Sequence, residues 1–246
     1  MVIPARLAAV RLPRKPLRLL AGVPLIVRVW QRVSEMKIAD ACVVATDSDE
    51  VAQVARNAGA ECVMTSSSHQ SGTERVAEVA RQPEFADYST LVNVQGDEPF
   101  IGRGAVNGAA RMVASGAFPL GTAASRASSK IAENPDIVKV VCGDDSRAMY
   151  FSRAAIPYAR DGAHSARIDP LQHIGVYAYS RDALEQWVAL PPHDLEVTER
   201  LEQLRPLAAG IPMGVAITDE PPAAGIDTED DLSRANARWD DFIAGR

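Results

Sequence analysis

Short apolar runs alternate with amphipathic segments along most of the chain. Residues 41–45 (ACVVA) are typical of a strand buried on both faces, and residues 91–94 (LVNV) and 213–217 (MGVAI) are also predicted as strands. Residues 25–33 instead repeat apolar positions at helical spacing. Strands that alternate with helices through short connections predict right-handed crossovers, and therefore a mostly parallel, doubly wound α/β sheet.

Capping and breaking residues predict the ends of several helices. Pro24 is a favourable first helical residue, and Ser48 or Asp49 caps a second helix that Gly59 ends. The predicted sheet therefore begins with strands and helices in regular alternation.

Two helices are predicted near the end of the chain. Thr198–Leu204 (TERLEQL) is predicted as a helix whose Leu201 and Leu204 pack inward. A last helix with an acidic first turn begins near Glu229 and carries Trp239.

Length and charge limit the classes of protein that fit. A chain of 246 residues can bury the core of one large domain, so we predict a single domain over residues 1–246. The net charge of −6 argues against general binding to nucleic acid or to anionic membranes.

The cysteines and the apolar content indicate a cytoplasmic protein. Cys42, Cys62 and Cys142 are odd in number and far apart, which supports neither a disulfide framework nor a zinc site. No apolar run approaches the roughly 18 residues of a membrane span, and arginines interrupt the apolar residues near the N-terminus.

A cationic loop follows the first predicted strand. Pro4 ends that strand, and residues 1–17 (MVIPARLAAVRLPRKPL) then carry four basic side chains. These are Arg6, Arg11, Arg14 and Lys15. Arginine forks and lysine point charges both suit phosphate groups, although a basic loop can also be a solvated surface loop.

Polar loops follow two other predicted strands, at the sheet edge where ligands bind in such folds. Residues 65–75 (TSSSHQSGTER) are rich in hydroxyl groups and lead into a helix, which an N-capping loop would also explain. Residues 95–99 (QGDEP) place Asp97 on a tight turn, where a carboxylate can hold Mg²⁺ or can simply belong to the turn.

Three more segments carry candidate polar residues, each with an ordinary structural alternative. Arg153 lies in YFSRAAIP, where it can be a solvated strand end, and His173 and Tyr177 share one face of the predicted strand HIGVYAY. Glu202 and Gln203 can be the solvated face of a helix.

Taken together, these motifs resemble the 3-deoxy-manno-octulosonate (KDO) cytidylyltransferases over nearly the whole chain. The strings that carry the resemblance are PAR-x4-R-L-P-x-K-P-L, HQSGTER, NVQGDEP, YFSRAxIP, HIGVYAY, LEQLR and GIDT. The resemblance implies a nucleotide-diphospho-sugar transferase-like (Rossmann-like) fold, with a small mixed subregion for sugar binding and dimerisation. It also implies transfer of CMP from CTP to KDO with Mg²⁺, in a homodimer that serves biosynthesis of lipopolysaccharide or of another KDO-bearing glycan.

The same resemblance implies roles for individual residues. Lys15, Asp97 and Asp227 would be catalytic, with Asp97 and Asp227 as the metal ligands. The nucleotide would be bound by Arg6, Arg11, Lys15, Ser71, Gly72 and Arg75. The sugar would be bound by Gln95, Arg153, His173, Tyr177, Glu202 and Gln203.

Two departures from the family pattern lie in the cationic loop. Ala9 and Val10 replace a usual pair of hydroxyl residues, and Arg14 replaces a usual glycine. Lost hydrogen bonds to phosphate would each cost roughly 0.5–1.5 kcal/mol or more. Arg14 would either restrict the loop's positive-φ conformations or reach the triphosphate.

Other functions remain open at this point. A related enzyme acting on 8-amino-KDO or sialic acid would share these motifs, and so would a non-catalytic nucleotide-binding homologue. A dinucleotide oxidoreductase is disfavoured because the first loop lacks G-x-G-x-x-G.

Overall fold

Parallel strands and the helices that follow them build the first part of the protein in the computed structural model. The structure describes residues 1–8, 11–160, 169–220, 222 and 225–244. The chain divides into two units, of which the first comprises Met1–Tyr88, Asn93–Arg103 and Ala223–Arg246. The second comprises Ser89–Val92 and Gly104–Pro222. The single domain over residues 1–246 stays a prediction.

The first unit contains a parallel sheet. The strands of this sheet are β1 (Val2–Ala5), β4 (Val43–Thr46), β5 (Glu61–Met64) and the end of β6 (Thr90–Val94). The unit also contains a separate antiparallel hairpin of β2 (Leu19–Leu20) and β3 (Val23–Pro24). Its helices are α1 (Leu25–Glu35), α2 (Asp49–Asn57), α3 (Gly72–Ala80), α8 (Glu229–Ala237) and α9 (Trp239–Ala244). Strand β1 pairs in parallel with β4 and β6, and β4 pairs in parallel with β5.

Burial explains why these segments fold as the sequence predicts. All four residues of β4 are buried, as expected for a strand covered on both faces. Helix α1 buries Leu25, Ile26, Val29 and Val33 on one face. The Ser48 side chain accepts a hydrogen bond from the backbone N–H of Val51, so Ser48 is the N-cap of α2.

The second unit combines parallel and antiparallel pairing. It contains α4 (Arg103–Ala114) from Gly104 onward, β7 (Leu120–Arg126), β8 (Lys139–Cys142), β9 (Ala148–Ser152), β10 (Leu171–Ser180), α5 (Arg181–Ala189), α6 (Asp194–Glu199), α7 (Leu204–Ala208) and β11 (Met213–Thr218). Strand β11 pairs in parallel with β7, whereas β10 runs antiparallel to β7 and β8, and β8 antiparallel to β9. The antiparallel pairs correspond to the predicted mixed subregion.

The predicted helix over Thr198–Leu204 is wrong. Helix α6 ends at Glu199, Arg200 adopts a left-handed conformation with φ 54°, and α7 begins only at Leu204. Pro206 explains the break, since it lacks the N–H that a continuous helix needs but fits the first turn of a new one. Leu201 is nevertheless buried, as predicted.

The C-terminal helix is also divided. Trp239 does not continue α8 but begins α9, and it stays buried against Phe100 with the ring centroids 5.9 Å apart. Among the described residues, no helix is both long and apolar enough to cross a membrane.

A single added methyl group should destabilise the second unit at Gly121. A Cβ on this residue of β7 would lie 2.3 Å from the backbone oxygen of Ala109 in α4. Gly121→Ala should therefore lower the free energy of unfolding by about 1–3 kcal/mol, measured by urea denaturation. Gly175→Ala is the matched control, because its Cβ would meet no atom of the described residues within 4 Å. Equal stability of the two variants would contradict the close contact.

Candidate active site

A pocket of about 360 Å³ lies in the first unit, beside the carboxyl ends of β1 and β6. Its lining includes nine of the predicted site residues, which are Arg6, Arg11, Lys15, Ser71, Gly72, Arg75, Gln95, Asp97 and Asp227. They come from the cationic loop, the start of α3, the turn after β6 and the segment before α8. The cationic loop therefore borders a pocket and is not merely a solvated surface loop.

The centre of the pocket is an ammonium group between two carboxylates. The Lys15 Nζ donates to Asp97 Oδ2 at 2.6 Å and to Asp227 Oδ1 at 2.7 Å. Burial lowers the pKa of Lys15, but Asp97 and Asp227 outweigh this effect and hold the pKa above its ordinary value. The two aspartates, 130 positions apart in the sequence, thus meet around one positive charge.

The turn that presents Asp97 requires a glycine before it. A Cβ on Gly96 would lie 2.7 Å from the backbone oxygen of Pro4, so no larger residue fits without a shift of the backbone. The QGDEP segment is therefore a tight turn, as the structural alternative held, and the same turn places Asp97 at Lys15.

Arg11 adds a second cation to this cluster. Its Nη2 lies 2.9 Å from Asp227 Oδ2, and both side chains are well exposed to solvent. Because exposed ion pairs contribute only about 0–1 kcal/mol, Arg11 can change partner at little cost. Arg6 is exposed and lies on the pocket lining.

Arg14 points to another partner. It adopts the left-handed conformation, with φ 58° and ψ 33°, at the position where glycine is usual in the family. Its guanidinium forms an ion pair with Glu50 of α2. The sequence left open whether Arg14 restricts the conformations of the loop backbone or binds phosphate. In the structure, Arg14 adopts the strained left-handed conformation and its side chain pairs with Glu50 of α2.

The start of α3 forms another side of the pocket. Ser71 caps the helix, because its hydroxyl accepts a hydrogen bond from the backbone N–H of Glu74 at 3.2 Å. The predicted capping role is thus present. The N-terminus of this helix also favours anions, through its dipole and its N–H groups.

Arg75 is held largely inside the protein. Its side chain is only 4% exposed, and its Nη2 lies 3.1 Å from Asp47 Oδ2. Its Nη1 also donates to Thr65 Oγ1. Arg75 therefore braces the 65–75 loop as well as bordering the pocket.

Two residues at this site were not predicted. His69 lines the pocket and contacts the carboxylate of Glu78, and its signal was the HQSGTER string itself. Glu98 follows Asp97 in the GDEP string. Burial raises the pKa of Glu98 to about 8, and the nearby Asp97 and Asp227 add to the shift. Glu98 is thus mostly protonated at neutral pH and contributes no third negative charge.

The remaining predicted sugar residues lie in the second unit, apart from Gln95, which borders the pocket of the first unit. His173 and Tyr177 of β10 have ring centroids 5.6 Å apart, so they share a face as predicted. Burial raises the pKa of Tyr177, with Tyr179 and then Glu202 adding to the effect, which places Glu202 near these rings. Gln203 is only 3% exposed, so it does not belong to a solvated helix face.

The surroundings of His173 define its protonation. The Thr122 Oγ1 donates to the backbone oxygen of Val176 at 2.7 Å and lies 2.9 Å from His173 Nε2. The hydroxyl therefore accepts from Nε2–H, which leaves Nδ1 as a hydrogen-bond acceptor. Burial lowers the pKa of His173 to about 3, so the ring is neutral.

Arg153 lies just past β9 and is tied to α6. Its Nε donates to the backbone oxygen of Glu199 at 2.8 Å, and its backbone N–H donates to Glu199 Oε2 at 2.9 Å. Its Nη1 donates to the backbone oxygen of Pro135 at 2.9 Å. The guanidinium is thus oriented by backbone contacts and is not a freely solvated strand end.

The donor set for a metal ion consists of two carboxylates. Among the described residues, no group of three or more histidine, cysteine, aspartate or glutamate side chains is placed to hold a metal. Asp97 and Asp227 nevertheless converge on one cation, and Mg²⁺ is commonly bound through one or two carboxylates plus substrate phosphates. The residues present therefore fit Mg²⁺.

Ala9 and Val10 lie outside the described residues.

The chain matches known proteins in sequence. Residues 1–214 match the family model described as Cytidylyltransferase. A protein of Gemmatimonas aurantiaca named 3-deoxy-manno-octulosonate cytidylyltransferase is 60% identical over 97% of this chain and 93% of its own length. A relative of the same name from Stenotrophomonas maltophilia is 45% identical over 96% of this chain and 94% of its own length.

Solved structures match the fold. One is CMP:2-keto-3-deoxy-manno-octonic acid synthetase complexed with CTP, with a TM-score of 0.90 and 36% identity over 98% of this chain and 97% of the other. Another is 4-diphosphocytidyl-2C-methyl-D-erythritol synthase from Anaerococcus prevotii, with a TM-score of 0.61 and 12% identity over 97% and 96% of the chains. At that identity the second match concerns the fold alone. The predicted fold class is confirmed.

The neutral state of His173 should make folding sensitive to acid. The unfolded chain binds a proton at His173 near pH 6.5, whereas the folded protein does so only near pH 3. The contribution of neutral His173 to the free energy of unfolding is therefore fully present above about pH 6.5 and is lost as the pH falls toward 3. His173→Gln should show a smaller decline in the free energy of unfolding between about pH 6.5 and 4, measured by urea denaturation.

His193→Asn is the control for this measurement. His193 is exposed and caps α6, and asparagine can keep the cap. This variant should retain the pH dependence of the unsubstituted protein. If His173→Gln also retained it, His173 would not be held neutral by burial.

Proposed function

This chain belongs to the 3-deoxy-manno-octulosonate cytidylyltransferase family, and we propose that it transfers CMP from CTP to the anomeric hydroxyl of KDO. The family resemblance seen in the motifs is confirmed. The observation that carries the proposal is the meeting of Lys15, Asp97 and Asp227 in a pocket that Arg6 and Arg11 also border.

The charges of this pocket suit a nucleoside triphosphate. Arg6, Arg11 and Lys15 provide three positive charges on one side, and the start of α3 provides backbone N–H groups on another. A related solved structure is complexed with CTP, which supports the same nucleotide here. The cations would bind the β- and γ-phosphates.

The reaction needs positioning and charge neutralisation but no protein nucleophile. The anomeric hydroxyl of the sugar attacks the α-phosphorus and its proton is released to solvent. The bond from that phosphorus to the bridging oxygen breaks, and pyrophosphate leaves. Arg11 and Lys15 stabilise the negative charge that accumulates on the leaving group. Both side chains already lie against carboxylates that the substrate can replace as partners.

Asp97 and Asp227 would hold Mg²⁺ in the complex with CTP. The ion supplies neutralisation of phosphate charge when it is bound. Lys15 would then leave the two carboxylates and turn to the phosphates, since both cations compete for the same oxygens.

The second unit would bind the sugar acid. Arg153 would pair with the sugar carboxylate. His173 Nδ1 would accept from a sugar hydroxyl, and Tyr177, Glu202 and Gln203 would make other hydroxyl contacts. A site built from such groups discriminates strongly against analogues that lack the matching hydroxyl.

The proposed compartment, oligomeric state and pathway are those that the family resemblance implies. We propose a cytoplasmic homodimer that activates KDO for lipopolysaccharide biosynthesis. The conformation of Arg14 weakens the alternative of a non-catalytic homologue, because this residue pairs with α2 and does not occupy the phosphate site.

Pyrophosphate release tests the proposed reaction. Release from CTP should require Mg²⁺ and KDO together, and Asp97→Asn should reduce it by at least about a hundredfold, since one carboxylate of the charge cluster is lost. Binding of CTP with no release on KDO, but release on 8-amino-KDO or sialic acid, would assign another acceptor. Binding with no release on any sugar acid would indicate a non-catalytic homologue.

Removal of the Lys15 charge should change metal binding before any nucleotide is present. Lys15→Met leaves Asp97 and Asp227 without the ammonium, so Mn²⁺, used as a spectroscopic substitute for Mg²⁺, should bind roughly tenfold more tightly. Electron paramagnetic resonance of free Mn²⁺ measures this. The same variant should turn over more slowly with CTP and KDO, because the phosphates lose a cation.

Arg11→Met is the matched control for metal binding. Arg11 pairs with Asp227 Oδ2, whereas Lys15 contacts both aspartates, and the Arg11 side chain is 68% exposed, so its loss should affect Mn²⁺ affinity much less. Unchanged or weaker Mn²⁺ binding by Lys15→Met would show that the ammonium does not compete for the metal position.

A further inference from the structure

Lys139 of β8 is a fully buried cation that the proposed reaction does not use. Its exposed fraction is 0%, and its ammonium group donates to three backbone oxygens. The distances are 2.8 Å to Asn134, 2.7 Å to Ile137 and 2.5 Å to Arg153. An ammonium has three N–H donors, so these three carbonyls satisfy it completely.

These contacts join Lys139 to the backbone of Arg153 and to the segment that Arg153 itself contacts. Lys139 holds the backbone at Arg153 itself and the segment 134–137 on either side of Pro135, while Arg153 Nη1 donates to the backbone oxygen of Pro135. The lysine therefore connects the two pieces of backbone that determine where the guanidinium lies.

Glu199 holds the other side of the same guanidinium. Its carboxylate accepts from the Ser152 hydroxyl at 2.6 Å and from the backbone N–H of Arg153 at 2.9 Å, and its backbone oxygen accepts from Arg153 Nε. The described contacts use two of the five N–H groups of the guanidinium, and the others suit a planar carboxylate.

A buried ammonium group is a costly way to connect backbone segments. Burial lowers the pKa of Lys139, and the positive charge of Arg153 lowers it further, with Glu199 opposing. An apolar side chain of the same length would avoid the desolvation of a charge.

We propose that Lys139 is a positioning residue for the recognition of the sugar acid: it fixes Arg153 and the 134–137 segment so that the guanidinium meets the sugar carboxylate. This inference rests on the proposed function, in which Arg153 receives that carboxylate. Lys139 is fully buried, so it would act only through the backbone that it contacts.

A double-mutant cycle tests this role in the full-length protein. Lys139→Met should raise the KM for KDO by about tenfold and leave the KM for CTP nearly unchanged. Arg153→Ala should raise the KM for KDO at least as much. When both changes are combined, Lys139→Met should add little further effect, because the residue through which it acts is already gone.

Two controls separate positioning from general damage. Lys130→Met removes an exposed lysine of the same unit and should leave both KM values unchanged. Gly108→Ala should destabilise the same unit between α4 and β11, because its Cβ would lie 2.6 Å from the Ala216 Cβ, and it should leave the KM for KDO unchanged in the folded protein. If Lys139→Met does not fold, Lys139→Gln, which keeps two donors, is carried through the same cycle and judged in the same way.

The outcomes are distinct. An unchanged KM for KDO, equal rises for KDO and CTP, or fully additive effects with Arg153→Ala would each overturn the positioning role. Failure of the proposed function would appear instead as absent pyrophosphate release by the unsubstituted protein with CTP, Mg²⁺ and KDO.

Discussion

The pocket of the first unit depends on charge compensation between one ammonium group and two carboxylates that come from distant parts of the chain. Asp97 and Asp227 can lie close together only if a cation lies between them, because like charges at short distance repel. Lys15 supplies that cation in the structure. The arrangement stabilises the protein without substrate and also marks the position where a metal ion with a triphosphate would be bound.

Lys15 and Lys139 carry the same kind of side chain but have different partners and different roles. Lys15 contacts carboxylates, is 18% exposed and can exchange its partners for phosphate. Lys139 contacts only backbone oxygens, has no exposure and cannot leave without breaking the local structure. The first therefore suits chemistry in which charges move, and the second suits the fixed orientation of a neighbouring arginine.

Much of the fold could be predicted because its signals are local. The apolar run of β4, the Ser48 cap of α2 and the glycine turn before Asp97 each depend on a few adjacent residues. The predicted helix over Thr198–Leu204 failed for the opposite reason. Its inward leucines are real, but Pro206 and the left-handed Arg200 divide it into two helices, and leucine spacing alone does not show this.

The sequence by itself determined the family, the alternation of strands and helices, and the set of charged and polar groups available for chemistry, since motifs and periodicity are properties of neighbouring residues. Only the tertiary structure decided which groups meet. It placed Lys15 between Asp97 and Asp227, turned Arg14 to Glu50, and buried Lys139 against the backbone of Arg153. It also left Glu98 protonated, because its pKa depends on burial and on charges brought near by folding. Distances between remote residues and the loss of water around them arise from packing, and no local pattern records them.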